Sequence, residues 1–361
     1  MRRKNLFAAI LLLFLFSFAG CKGEDKTADK TGSYEEIPTV GFAQVGAESD
    51  WRIANTESMI KAFEDDGDYI FLLENALQKQ TNQFTAVRSF IQQDVDYIVI
   101  APVTESGWDN VLTEVQKADI PVVIVDRMVD VEDSTLFTCW VGSDFLLEGK
   151  KVTEWLHSYT EAHGIKAEEL HIVDVQGTKG ATSQIGRTNG LLEAAAKYGW
   201  EITATVDGDY TAAKAYEEMT DLLSEYDNIN VVYCENDNEA FGVIDAIEDS
   251  GKTPGYDIEK GEIMVLSFDG VSKEALEYVY EGKIACIGEC NPHHGPRVKE
   301  IIELLRQGLN PDRYYYVEEQ IFSSDDTVKS VIITGNEYPV TLITKESLAD
   351  ALEENDAKVD G

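Results

Sequence analysis

The chain alternates short apolar runs with longer segments in which apolar residues recur at helical spacing. One such segment carries Phe84, Val87 and Ile91 at positions i, i+3 and i+7, which is typical of one face of a helix. Strands are predicted at 39–45, 69–73, 97–101, 122–126, 170–175, 202–206, 231–234, 263–268 and 284–288. The repeated order of strand and helix predicts parallel sheets covered by helices. Because about ten strands would be unusual in one open sheet, we expect two doubly wound sheets in two lobes.

The division between the lobes is expected near Ser143-Asp144, because the chain on each side forms a near-complete α/β domain. The segment from about 314 to 344 alternates apolar and polar residues, which favours added strands and crossovers over a third domain. The predicted first lobe comprises 38–144 and about 290–320, and the second comprises 145–289 and about 321–349. Three short crossovers would join the lobes as a hinge. The acidic residues 350–361 are expected to fray.

The N-terminus predicts export. Basic residues at 2–4 precede the apolar run 6–19, which would make a helix of roughly 21 Å, short of the ~30 Å hydrocarbon core. A basic start, a short apolar core and small residues at its end indicate a signal peptide over 1–20. Cys21 follows at the position of the lipidated cysteine in the bacterial lipobox, so we expect lipid on Cys21 and a flexible tether over 21–37. The alternative is an uncleaved membrane anchor with an incidental cysteine.

Composition limits the partners. With 361 residues and 43% hydrophobic content, the chain can fill one large core or two modest ones. The formal charge of −37 argues against nucleic acid or an anionic membrane face as a partner. No helix-turn-helix pattern precedes the first predicted strand, which argues further against a transcription regulator.

The cysteines after Cys21 are expected to be buried or unpaired thiols. They are Cys139, Cys234, Cys286 and Cys290. Cys286 and Cys290 would lie along one strand, where four residues span ~13 Å, too far for a disulfide. No CxxC or HxxxH spacing occurs in the sequence, so we predict neither a metal site nor a cofactor.

Polar residues follow the predicted strands of the first half. Asp126-Arg127 closes the run 122–126, and open α/β sheets bind ligands at this end of their strands. An aspartate accepts hydrogen bonds from hydroxyls and an arginine donates a planar fork, which suits a polyhydroxylated molecule. After the first strand, Glu48, Trp51 and Arg52 offer an acceptor, a flat apolar face and a donor. The structural alternatives are an ion pair at a strand end and a helix cap.

Similar residues follow the strands of the second half. Arg187 lies on the helix after 170–175, and the other candidates follow their strands directly: Asp209, Tyr210, Asn236, Asp269 and Glu289. Any one of them could merely cap a helix, but their recurrence at the same end of successive strands favours a binding site. Trp108, in the first half, remains open between a rim aromatic and a core side chain.

These motifs resemble the type I periplasmic sugar-binding proteins of the ribose and galactose class, which are the ligand receptors of ABC importers. Within that family the chain is most similar to the galactofuranose-binding members. The matching stretches are 40–46, Glu48-Ser49, Trp51-Arg52, 78–80, Asn82-Gln83, 86–90, 100–103, Gly107-Trp108, Asp126-Arg127, 147–150, 176–178 and 269–271. They cover most of residues 38–310 in consistent order and spacing.

The resemblance implies ligand contacts on both lobes. Asp126 and Arg127, with Glu48, Trp51 and Arg52, would contact ligand from the first lobe. From the second lobe the implied contacts are Arg187, Asn236, Asp269 and Glu289, with an aromatic near the cleft at Asp209-Tyr210. Glu289 bears on identity, because ribose receptors tend to have an amide there and the galactofuranose-like pattern has glutamate.

The expected function is capture of a monosaccharide between two lobes and its delivery to the permease of an ABC importer. Galactofuranose is the first choice of ligand, then ribose, galactose or arabinose, with a nucleoside or an autoinducer more distant. We expect a monomer without catalytic residues, held at the cell membrane by lipid on Cys21 and facing the periplasm or cell exterior. Two alternatives stay open: a sugar sensor that signals to a membrane kinase or chemoreceptor, and, more remotely, a glycosidase using two cleft carboxylates.

Overall fold

The structure is a computed structural model that describes residues 37–64 and 67–349. The predicted signal peptide, Cys21, most of the predicted tether and the acidic tail 350–361 lie outside the described residues. Within the described ranges, no helix combines the length and the apolar character needed to cross a membrane.

The first lobe is built on a six-stranded parallel sheet in the order β11-β5-β4-β3-β1-β2. Its strands are β1 (Thr39–Gln44), β2 (Ile70–Asn75), β3 (Tyr97–Ile100), β4 (Val122–Val125), β5 (Cys139–Gly142) and β11 (Tyr314–Tyr316). The helices α1 (Asp50–Glu64) and α9 (Gly295–Arg306) cover one face, and α2 (Gln80–Gln92) and α3 (Asp109–Lys117) cover the other. The central strands β3 and β4 consist of apolar, mostly β-branched residues that are buried on both faces.

The second lobe is built on a seven-stranded sheet in the order β15-β12-β10-β9-β8-β6-β7. Its strands are β6 (His171–Gln176), β7 (Glu201–Asp207), β8 (Val231–Cys234), β9 (Met264–Asp269), β10 (Cys286–Glu289), β12 (Ile321–Ser323) and β15 (Thr341–Leu342). They pair in parallel except that β12 runs antiparallel to β10. The helices are α4 (Phe145–His163) and α5 (Thr182–Tyr198) on one face, and α6 (Ala212–Glu225), α7 (Asp237–Asp249) and α8 (Lys273–Glu281) on the other. A hairpin of β13 (Ser330–Ile333) and β14 (Asn336–Pro339) packs with the α4 layer.

The predicted fold class is confirmed: two parallel-dominated sheets, each covered by helices. Each strand predicted from the apolar runs exists, and the sequence pattern missed β5. Within the described part, the chain passes between the lobes after β5, after β10 and after β11. Because parallel strands share one direction, these passages leave the carboxyl ends of both sheets at the site described below.

The buried face of helix α1 is not purely apolar. Ile53 on this helix is 45% exposed. The buried stripe instead includes the polar residue Asn55. Asn55 accepts a hydrogen bond from Gln44 Nε2 at 3.0 Å and donates to the Pro292 carbonyl at 2.9 Å. This helix is therefore held to β1, and to the segment that passes between the lobes after β10, by hydrogen bonds as well as by packing.

Candidate ligand-binding cleft

A cleft lies between the carboxyl ends of the strands of the two lobes. It has an empty volume of about 290 Å³ that includes space open to solvent. Its lining comprises Glu48, Ser49, Trp51, Arg52, Asp126 and Arg127 from the first lobe, Phe145, Ser183, Arg187, Tyr210, Asn236 and Asp269 from the second, and Cys290 from the second crossover. The lining is thus rich in charged groups that are themselves shielded from water.

Arg52 organises the first-lobe wall. Its guanidinium pairs with Asp126 Oδ2 at 2.7 Å through Nη2 and with Glu48 Oε1 at 3.0 Å through Nε, and it donates from Nη1 to Gln44 Oε1 at 3.2 Å. Burial acts to lower the pKa of Arg52, but the carboxylates of Asp126 and Glu48 outweigh it and raise that pKa. Burial likewise acts to raise the pKa of Asp126, and the neighbouring arginines hold it below its ordinary value. The Asp126 carboxyl is therefore an ionised acceptor.

Arg127 supplies the second cation of this wall. Its Nη1 donates to the Val103 carbonyl at 2.8 Å, and its guanidinium carbon lies 5.3 Å from the ring centre of Tyr210 on the opposite lobe. Among the described residues, Arg127 Nε and Glu48 Oε2 are buried without a hydrogen-bond partner. An unsatisfied donor and acceptor in the cleft lining offer what a ligand hydroxyl needs, since a hydroxyl both donates and accepts.

Arg187 organises the second-lobe wall. It pairs with Glu148 Oε2 at 2.8 Å through Nε and with Asp269 Oδ1 at 3.3 Å through Nη2, and Nη1 donates to the Glu235 carbonyl. Burial raises the pKa of Asp269 to about 7, against the opposing charge of Arg187. Asp269 can consequently carry a proton near neutral pH and act as a donor or as an acceptor.

Three residues that line the cleft have strained backbone conformations. Asp126, Tyr210 and Asp269 adopt positive φ angles of 62°, 60° and 103°. Aspartate visits this region with modest cost, whereas it is unusual for tyrosine. Gly177 permits the Tyr210 ring to lie where it does, because a Cβ on Gly177 would come within 2.0 Å of Tyr210 Cζ. The Tyr210 hydroxyl is then 2.7 Å from Ser183 Oγ, and this contact holds the ring in the cleft lining.

An apolar side wall completes the cleft. Trp51, Phe145 and Cys290 form one buried cluster. Trp51 Nε1 donates to the Cys290 carbonyl at 2.7 Å, and the Arg52 guanidinium carbon lies 4.8 Å from the centre of the Trp51 ring. A polar molecule with C–H faces, such as a sugar, can meet both the charged walls and this surface.

Hydrogen bonds cross the rim of the cleft directly. The Asp50 amide donates to Asn238 Oδ1 at 3.0 Å, and the Met128 amide donates to Thr182 Oγ1 at 3.0 Å. The Glu105 amide donates to the Gly180 carbonyl at 2.9 Å. The first residue of each pair belongs to the first lobe and the second to the other lobe, so the structure is a closed arrangement.

The structure brings most of the predicted site residues together. Those that line the cleft are Glu48, Trp51, Arg52, Asp126, Arg127, Arg187, Tyr210, Asn236 and Asp269. Ser49 has the predicted capping role as well, since its Oγ accepts from the Arg52 amide at 3.2 Å.

Trp108, Asp209 and Glu289 lie outside the cleft lining. Trp108 is fully buried in the first-lobe core, donates to the Thr104 carbonyl at 2.8 Å and packs edge-on against Phe84. Asp209 accepts from Thr178 Oγ1 at 2.7 Å. Glu289 accepts from the Gln320 amide at 2.7 Å, which ties it to the third crossover.

Sequence reasoning missed Phe145, Ser183 and Cys290 as cleft residues. Phe145 and Ser183 stand in the first turns of α4 and α5, the helices that follow β5 and β6. First-turn residues point toward the same sheet edge as the strand ends, and this signal could have found them. Cys290 is one of four cysteines, all of them buried and unpaired within the described part of the chain.

Comparisons with known proteins agree with this geometry. Residues 40–294 match the family model described as a periplasmic binding protein domain. The chain belongs to the periplasmic binding protein family. This confirms the predicted resemblance, and proteins of this family are exported and face the periplasm.

Several relatives are similar over nearly their full length. The galactofuranose-binding protein YtfQ of Escherichia coli K12 is 35% identical, over 80% of this chain and 88% of its own. A crystal structure of a galactofuranose-binding protein superposes with a TM-score of 0.76 at 31% identity, covering 89% of this chain and 99% of that one. The binding component of the arabinose ABC transporter from Shewanella sp. ANA-3, bound to α- and β-L-arabinofuranose, gives a TM-score of 0.72 at 34% identity, over 89% of this chain and 97% of its own.

Proposed function

We propose that this periplasmic binding protein captures a free aldose in its furanose form, with galactofuranose preferred, and delivers it to an ABC importer. The observation that carries the proposal is the convergence of buried, oppositely charged side chains from both lobes on one small cleft. Relatives more than 30% identical carry galactofuranose and arabinofuranose in their names, which supports the five-membered ring.

The mechanism is closure of two lobes around the sugar. Ligand hydroxyls would bond Asp126, Glu48 and Arg127 from the first lobe, and Asp269 and Arg187 from the second. A ligand stabilises the closed arrangement only through contacts that the open one lacks, so contacts from both lobes are what drive closure. The carboxylates each have such a hydrogen-bonding role, so we propose binding without catalysis.

The decisive experiment is a thermal-shift assay with ring-locked ligands. Methyl β-D-galactofuranoside and methyl β-D-galactopyranoside differ only in ring size, and D-galactose, L-arabinose and D-ribose supply the free sugars. A ligand at 100 times its dissociation constant should add ~2.7 kcal/mol of stability, seen as a raised midpoint. We expect the furanoside, but not the pyranoside, to raise the midpoint. An Asp126→Ala protein serves as the control and should not respond.

Two outcomes would contradict the proposal. An equal or larger shift with the pyranoside would reject the furanose preference and leave a sugar receptor. No shift with any of these ligands would reject sugar capture. Loss of labelled sugar uptake on deletion of the gene would support the importer, whereas intact uptake with a lost transcriptional response would indicate the sensor alternative.

We further propose that the protein is a monomer anchored by lipid on Cys21. The sequence supports the anchor through the signal peptide and the cysteine that follows it. A Cys21→Ser variant should move from the membrane fraction to the soluble exported fraction, while its sugar affinity stays unchanged. A variant that remains in the membrane fraction would favour an uncleaved anchor.

A further inference from the structure

Three chain crossovers join the lobes, and one carboxyl touches all of them. The first crossover contains Ser143, the second spans 290–294 and the third spans 317–320. Glu319, on the third, accepts from Ser143 Oγ at 2.5 Å and from the Asn291 amide at 3.2 Å, both at Oε1. The Lys151 ammonium donates to the Glu319 carbonyl at 2.8 Å. Glu319 therefore ties the hinge together at a single point.

Glu319 also approaches the ligand-facing wall of the second lobe. Ligand-type atoms of Glu319, Glu148 and Cys290 all lie within 4.8 Å of one another. Glu148 is fully buried and holds Arg187 through Oε2, while its Oε1 has no hydrogen-bond partner among the described residues. Arg187 lines the cleft. A continuous path thus runs from the hinge through Glu148 to the ligand site.

Glu148 is fully buried and Glu319 is partly buried, and two carboxyls this close repel each other strongly when both are ionised. Burial, and then the charge of Glu148, raise the pKa of Glu319 well above its ordinary value, and the hydrogen bonds from Ser143 and Asn291 only partly oppose this. The other titratable or charged groups facing the pair are Cys290, Lys151, Arg187 and Asp269.

We propose that Glu319 is a positioning residue for ligand binding: its protonated carboxyl holds the three crossovers together and, beside Glu148, fixes the guanidinium of Arg187. This inference rests on the proposed function only where ligand affinity is measured. Glu319 itself does not line the cleft.

Variants of Glu319 separate the effect of its charge from the effect of its hydrogen bonds. Glu319→Gln keeps an oxygen for Ser143 and Asn291 and mimics the protonated acid, whereas Glu319→Ala removes both. The dissociation constant for D-galactose should rise about tenfold in Glu319→Ala and stay within about threefold of the parent in Glu319→Gln. The matched control is Glu318→Ala, the exposed neighbour on the same crossover, which should not change affinity.

A second measurement needs no ligand. A carboxyl with a raised pKa in the folded state stabilises that state at low pH, and this stability is lost as the pH rises through the raised value. The unfolding midpoint of the parent should therefore fall as the pH rises above the ordinary range of a glutamate, and it should fall less in Glu319→Gln. Glu318→Gln should follow the parent.

The results that overturn the inference differ from those that overturn the proposed function. If Glu319→Gln weakens D-galactose binding as much as Glu319→Ala, or if its unfolding midpoint depends on pH as the parent's does, the positioning role of a protonated Glu319 is rejected. If the parent itself does not bind D-galactose, sugar capture fails for this ligand, and the ligand-free midpoints still decide whether Glu319 carries a proton in the folded state.

Discussion

The two walls of the cleft accommodate their buried ionisable groups in different ways. On the first lobe, Glu48 and Asp126 face Arg52 and Arg127, so carboxylates and guanidiniums are matched, and the pKa of Asp126 is lowered. On the second lobe, Arg187 pairs with Glu148 and Asp269.

Further carboxyls are buried beside the second-lobe wall. They belong to Asp174, Glu235, Asp237 and Glu239, near the carboxyl ends of β6 and β8. Burial raises the pKa of each of them, to about 7 for Asp174. The first wall therefore keeps its charges by pairing, while the second reduces its charge by holding protons. We expect the charge of the second wall, and not that of the first, to change with pH near neutrality.

The largest expected difference between the walls concerns their arginines. Arg187→Met removes the guanidinium on which both Glu148 and Asp269 rely, and should lower the free energy of unfolding by about 3–5 kcal/mol. Arg52→Met should cost less, because Arg127 lies within 3.9 Å of Asp126 and 3.8 Å of Glu48 and retains part of the pairing. Urea unfolding of the ligand-free protein measures both. The control is Arg297→Met, which disrupts an exposed pair with Glu300; equal losses at Arg187 and Arg52 would erase the contrast.

The second comparison replaces one carboxyl of each wall by its neutral isostere. Asp126→Asn removes an ionised acceptor beside two arginines and should cost about 2–4 kcal/mol of sugar binding, or roughly 30- to 1000-fold in affinity. Asp269→Asn should cost less, since a pKa of about 7 means that Asp269 is already partly protonated at neutral pH. Titration calorimetry with D-galactose should show the cost of Asp269→Asn shrinking toward about pH 6, where the parent carboxyl is largely neutral. A cost that does not change with pH would contradict the assigned protonation.

Much of this site could be predicted from the sequence because parallel sheets bring strand ends together. Asp126 and Asn236 follow buried strands and Asp269 ends one. This is enough to predict that each lies at the carboxyl edge of its sheet. Their partners were harder to find. Phe145 and Ser183 lie in the first turns of helices rather than at strand ends, so a search restricted to strand ends passes over them.

Glu289 and Trp108 lie outside the cleft lining for local reasons. Glu289 ends β10, and successive side chains of an extended chain point in opposite directions, so Cys290 faces the cleft and Glu289 does not. Trp108 could have been a rim aromatic or a core side chain, and Phe84 on α2 packs against it. Register at a strand end and cover from a neighbouring helix are tertiary properties that a single sequence does not specify.

A smaller effect tests the protons of the second lobe directly. The Asp174 carboxyl accepts from Gln176 Nε2 at 2.9 Å, and burial raises its pKa to about 7. A raised carboxyl pKa stabilises the fold fully below the unfolded value, and this contribution disappears as the pH rises through about 7. Asp174→Asn should therefore weaken the pH dependence of unfolding between about pH 5 and about pH 8 by about 2–3 kcal/mol. Asp133→Asn on the exposed first-lobe turn is the control, and an unchanged slope in Asp174→Asn would place the titrating group elsewhere.

The smallest expected effect concerns the contact between the walls rather than their charges. Asn238 accepts from the Asp50 amide across the rim and does not line the cleft. Asn238→Ala removes a hydrogen bond of the closed arrangement, worth about 0.5–1.5 kcal/mol, so sugar affinity should fall roughly two- to tenfold. Since both walls are unchanged, the loss should be the same at about pH 6 and about pH 8, unlike that of Asp269→Asn. Asn228→Ala, at an exposed position of the same lobe, should leave affinity unchanged. If Asn238→Ala has no effect, the rim contacts do not stabilise the closed arrangement. The free energy of closure must then come entirely from the contacts of the sugar with the two walls.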